Sequence, residues 1–115
     1  MARVAMEGIG NIKEVTDTII DEILNGSVSG DLTSEIYRGS EGFEITLLVF
    51  EKYYMRISSR ASLSVLIINN KGNITVDSVG GGAGQGPLFK MSWGAEEHFA
   101  EAIVKPLEKL GFVSK

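Results

Sequence analysis

From Phe43 the chain alternates in a way that only a sheet can use. Phe43, Ile45, Leu47, Val49, Tyr53, Met55 and Ile57 all fall on odd positions, and Glu51 alone breaks the series. Residues two apart share one face of a strand, so this stretch is expected to lie with its odd face against a core. A strand of that length exceeds the usual ~5–6 residues. A bend or bulge near Glu51–Lys52 is therefore expected, rather than a hairpin. Glu-Lys lacks the Gly or Asn that accepts positive φ in a two-residue turn.

The odd series resumes with Ala61, Leu63, Val65 and Ile67, separated by Ser62 and Ser64. Odd residues share a face across an antiparallel hairpin only when the loop has an odd number of residues. Ser58-Ser59-Arg60 supplies such a loop, and would pair Met55 with Leu63 and Tyr53 with Val65. Ile74 and Val76 then switch to even positions. That switch requires an even loop, for which Asn69-Asn70-Lys71-Gly72 serves, pairing Ile67 with Ile74 and Val65 with Val76. A three-strand meander follows. The other face of the long strand carries Leu48, Phe50 and Tyr54 among Thr46, Lys52 and Arg56. It is more apolar than a wet face usually is, so self-association through Leu48, Phe50 and Tyr54 is expected.

Helical patterns flank the strands. Asn11 with Glu14 makes an N-x-x-E capping box, and Ile12, Val15, Ile19 and Ile23 make one apolar stripe. Gly26 fits a left-handed ending, giving a first helix over 11–25. Glu14, Asp17, Asp21 and Glu22 lie on its solvated side. Arg3–Met6 reads either as a short edge strand or as a tail. Leu32–Arg38 reads as a strand, Gly39–Gly42 as a turn and Pro87–Ser92 as a short final strand. Phe99, Ala102, Ile103, Leu107 and Leu110 form the apolar side of a second helix, with Pro106 expected to kink it. Gly111 and Phe112 suit a Schellman ending. The fold class is thus α+β: an antiparallel meander of four to five strands, with an N-terminal and a C-terminal helix packed on one face.

A chain of 115 residues, 43% hydrophobic and 23% charged, is one globular domain over 1–115. The net charge of −4 argues against nucleic acid and anionic membrane as partners. With no cysteine and one histidine, neither a metal site nor a cofactor is expected. The N-terminal residues have no signal-peptide core, and no stretch approaches the ~20 apolar residues of a membrane span. A cytoplasmic location is expected.

Candidate chemistry gathers at 79–97, VGGGAGQGPLFKMSWGAEE. Gly81, Gly82, Gly84 and Gly86 are candidates for an anion-binding backbone cradle, with Ser92 and Trp93 beside the start of the second helix. No G-x-G-x-x-G and no Gly-Lys-Ser/Thr occurs there. An extended 87–92 would hold the glycines ~20 Å from the helix start. The competing reading makes the glycines a bend or bulge in the sheet. Glu96 falls by angle on the apolar arc of the helix, and Glu51 on the inward register of the long strand. Two inward acids are candidates for an acid/base pair; alternatively one pairs with Arg56 or Arg60 and the other caps the helix. His98 falls on the solvent side with Lys105 and Lys109. Trp93 is most simply a core plug.

SVSG at 27–30, YYMRISSRASLSV at 53–65 and GGGAGQGPLFKMSWGAEE at 80–97 together resemble a family of small uncharacterised proteins of Gram-positive bacteria. The resemblance spans about Glu22 to Phe112. It implies a bacterial cytoplasmic origin and no catalytic residue. The expected function is a non-enzymatic binding or interaction module that is homo-oligomeric. The alternative is a small enzyme, or a protein for an anionic or phosphate ligand, that uses the 80–86 glycines with Glu96 and Glu51.

Overall fold

The alternating residues do fold as strands, but the sheet they build is larger than the meander. The computed structural model describes residues 2–26, 29–54, 59–83 and 98–115, apart from the side chains of Ala2, Tyr54, Ser59 and Ala83. In chain order it contains β1 (Ala2–Ile9), α1 (Ile12–Asn25), β2 (Asp31–Ser40), β3 (Phe43–Tyr54), β4 (Ser59–Asn70), β5 (Asn73–Ala83), α2 (Val104–Lys109) and β6 (Val113–Ser114). Among the described residues six strands form one sheet in the order β2-β3-β4-β5-β1-β6, and every neighbouring pair is antiparallel. The count exceeds four to five because the N-terminal segment is a full strand, lodged between β5 and β6, and Val113–Ser114 adds a short strand beside it. The strand expected at 87–92 lies outside the described residues.

The helices follow from local chemistry. Asn11 caps α1, its side-chain oxygen accepting from the Glu14 amide at 2.8 Å. Gly26 ends the helix with its N–H on the Glu22 carbonyl at 2.8 Å, but in an extended rather than a left-handed conformation. The second helical pattern is divided. Residues 98–101 are helical, the chain turns at 102–103, and α2 begins at Val104. Pro106 explains the break. It has no N–H to donate to Ala102 four residues back, and its ring crowds that carbonyl. Proline therefore sits in the first turn of a new helix, where a missing N–H costs little. The end of α2 is a Schellman motif: the Phe112 amide donates to the Leu107 carbonyl, the Gly111 amide to that of Glu108, and Gly111 has φ +92.

The face of the sheet under the helices is the reverse of the one that alternation predicts for β3. Thr46, Leu48 and Phe50 are buried, the two hydrophobes at 0% exposure. They pack with Ala61, Leu63, Val65 and Ile67 of β4, and with Ile74 and Val76 of β5. Ile12, Val15, Ile19 and Ile23 of α1 close this core with Phe99, Ala100, Ile103, Leu107 and Phe112. Ser78 of β5, also buried, donates to the Ala100 carbonyl at 3.1 Å and ties the helical turn at 98–101 to the sheet. Each fully buried Leu, Ile or Phe contributes about 1.5–3 kcal/mol.

Loop length is the physical cause of the reversal. Tyr54 pairs with Ser59, which leaves four residues between the strands, an even number. Leu48 consequently faces Val65, and Phe50 faces Leu63, in place of the predicted pairs. The β4–β5 hairpin has the expected parity, but its loop is shorter by two residues. Asn70 pairs with Asn73, so Ile67 meets Val76 rather than Ile74. The irregularity expected in β3 near Glu51 falls instead on its neighbour. The register of β2 slips at Thr33, opposite Val49 and Phe50, and the Thr33 hydroxyl donates to the Val49 carbonyl at 3.0 Å.

Candidate functional site: the open face of the sheet

The residues singled out from sequence do not converge. Gly81 and Gly82 lie within β5, opposite Ser62 and Ala61, as strand backbone and not as a loop. Gly84, Gly86, Ser92, Trp93 and Glu96 lie outside the described residues. Glu51 points away from the helices, with Oε1 3.8 Å from Nη1 of Arg60. This is one of the two structural pairings its sequence context allows, and it removes Glu51 from any inward acid pair. Leu48 and Phe50 are core residues and cannot form a self-association surface. His98 is exposed, as its angular position predicts. No group of three His, Cys, Asp or Glu residues is placed to hold a metal among the described residues. A hollow of about 860 Å³ beside β1 and α2 is lined by mixed charges, including Glu22, Glu101, Lys105 and Lys109.

Reversal of the faces brings a different set of side chains into the open. The register places Arg38, Ile45, Ile68, Thr75 and Glu7 in one row across the sheet. The next row holds Ile36, Leu47, Leu66, Asp77 and Ala5, and the one beyond it Ser34, Val49, Ser64, Val79 and Arg3. These rows lie on the side away from the core, and no described helix covers them. Ile36 is 42% exposed, and Ile45, Leu47, Val49, Leu66, Ile68 and Val79 are half-buried among their neighbours. The result is an apolar stripe across four strands, β2 to β5. Charges border it: Arg3 pairs with Asp77 at 3.0 Å, while Arg38 and Glu7 stand at opposite ends of one row. Leu66 and Ile68 escaped the sequence reading because Leu63, Val65 and Ile67 already accounted for a buried face. Their even-position apolar character is the signal that would have found them.

A second polar cluster sits on the helix-bearing side, near the hairpin ends. The Tyr37 hydroxyl donates to Glu44 Oε2 at 2.5 Å, and Asn69 Nδ2 donates to Glu44 Oε1 at 2.8 Å. Asn69 Oδ1 in turn accepts from the Gly72 amide at 2.9 Å. The hydrogen bond from Tyr37, then that from Asn69, holds the Glu44 carboxyl below its ordinary value. The same bond raises the Tyr37 phenol. All three side chains are engaged with one another and with the turn, so the cluster acts as a brace between β2, β3 and β4.

A model for a family of unknown function, DUF6054, matches residues 1–111. The chain belongs to that family. Neither a curated protein nor a solved structure matches it. No helix among the described residues of this DUF6054 chain is long and apolar enough to cross a membrane.

Proposed function

We propose that the protein is a non-catalytic interaction module whose working surface is the open face of the sheet, and that its partner there is a second copy of the chain. The observation that carries this reading is the stripe Ile36, Ile45, Leu47, Val49, Leu66, Ile68 and Val79, on a face where antiparallel sheets usually alternate to polar residues. Apolar patches of this continuity mark association surfaces. Sheets packed face to face bury such stripes at a separation of about 10 Å.

Light scattering at high protein concentration tests it. The expected mass is twice the 12.4 kDa of one chain. Leu66→Glu, which puts a charge at the centre of the stripe, is expected to return the protein to monomer with its circular dichroism unchanged. A wild-type mass of one chain throughout the concentration range overturns the reading.

A further inference from the structure

We infer that the two copies pack about a two-fold axis running along β4, so that Arg38 of each copy meets Glu7 of the other. This rests on the self-association reading and specifies its geometry. The row Arg38–Ile45–Ile68–Thr75–Glu7 is positive at one end, negative at the other and uncharged between. In one chain the two charges are four strands apart, about 19 Å at ~4.8 Å per strand, too far to pair. Both residues are exposed. Arg38 spends one donor on the Tyr37 carbonyl at 2.8 Å, which leaves other donors of its fork for a carboxylate. Glu7 has no side-chain partner among the described residues.

An axis along β4, the middle of the five long strands, exchanges the columns on its two sides. It lays β2 of one copy over β1 of the other, and β3 over β5, with residues of one row remaining level. Arg38 then faces Glu7, Ile36 faces Ala5, Val49 faces Val79, and Leu66 and Ile68 each face their own counterpart. The crossing of about 30° usual for aligned sheets is compatible with this axis. Asp77 comes opposite Leu47, already neutralised by Arg3. An axis across the strands through the Leu47–Leu66 row would instead set Arg38 over Ser34, with no carboxylate opposite it, and bring Arg3 over Glu7. Only the axis along β4 makes association depend on the charge at position 38, so reversal there distinguishes the two.

The arrangement has a signature no intramolecular role can imitate. Arg38→Glu makes both contacts acid on acid, and Glu7→Arg makes both base on base. Each single variant is expected to dimerise about tenfold more weakly than the wild type. Mixed in equal amounts, the two variants restore both contacts as opposite charges and are expected to form the heterodimer in preference to either homodimer. Native mass spectrometry with one variant isotopically labelled reads this directly, and circular dichroism checks the fold of each. The double variant Arg38→Glu/Glu7→Arg is expected to recover wild-type affinity. Dimers indifferent to charge reversal, with a statistical mixture of species, overturn the pairing while leaving self-association standing. A monomeric wild type overturns both.

Discussion

The ring of Phe112 lies so close over Gly8 that a Cβ at Gly8 would sit 2.5 Å from Phe112 Cδ1. Gly8 is in β1, opposite Ile74, and Phe112 is only 3% exposed. The ring is held there by the Schellman ending of α2, whose last hydrogen bond is made by the Phe112 amide itself. Glycine is therefore what lets the C-terminal segment dock on the sheet. Gly8→Ala is expected to cost about 1–3 kcal/mol, as overpacking does, and to lower the melting temperature by several degrees. Gly10→Ala serves as the control, because a Cβ there meets nothing nearer than 3.9 Å. Gly8→Ala combined with Phe112→Leu should recover part of the loss. Equal melting temperatures for the two glycine variants would refute the packing argument.

The brace at Glu44 makes stability depend on pH in two places. The folded-state pKa of Glu44 lies below its unfolded value, so its contribution is complete above the unfolded pKa and disappears as pH falls through the folded one. The window opens below about pH 4.5, the ordinary carboxyl value. Tyr37 is raised, so its contribution is complete below the ordinary phenol value of 10.0 and disappears as pH rises through the folded pKa. Tyr37→Phe removes the donor for both effects. Its stability curve should be flatter than that of the wild type at both ends, and the two curves should run parallel near neutrality. Urea unfolding across the pH range measures this, and identical acid limbs would show that Tyr37 does not hold Glu44.

Much of this fold is written in local sequence, and much of the rest depends on one loop. The α1 stripe, its Asn11 cap and the Gly111–Phe112 ending are set by residues within a turn of each other, and they can be read directly. The orientation of β3 cannot. Both its faces are apolar, Phe43 to Val49 on one and Leu48 with Phe50 on the other, so alternation says "strand" without saying which side is in. Only the parity of the β3–β4 connection decides, and an error of one residue there moves every side chain to the other face. The candidate site inherits that uncertainty. Leu48 and Phe50 are apolar enough for an interface and are core; Leu47 and Leu66 are equally apolar and are open. Glu51 changes sides with them, from an inward acid to the partner of Arg60. Strand β1 is hidden for another reason: its pairing with β5 joins residues about seventy positions apart, which no local pattern records.

The β4–β5 turn shows how the chain pins that register once formed. Lys71 and Gly72 are the two residues between the paired Asn70 and Asn73, and both have positive φ, +53 and +91. That combination is the hairpin geometry matched to strand twist, for which Asn-Gly is the preferred pair. Gly72 is at ease there, while Lys71 bears the left-handed strain that Asn tolerates better. Two hydrogen bonds hold the turn regardless: the Lys71 amide donates to the Gly42 carbonyl at 2.8 Å, and the Gly72 amide to Asn69 Oδ1 at 2.9 Å. Neither uses the Lys71 side chain. Lys71→Asn is therefore expected to stabilise the protein by a few tenths of a kcal/mol up to about 1 kcal/mol, and Lys71→Val to destabilise it by about 1–2 kcal/mol. Urea midpoints should move in opposite directions for the two variants at constant m-value. A shift of the same sign in both would mean that position 71 matters through its charge rather than through its backbone.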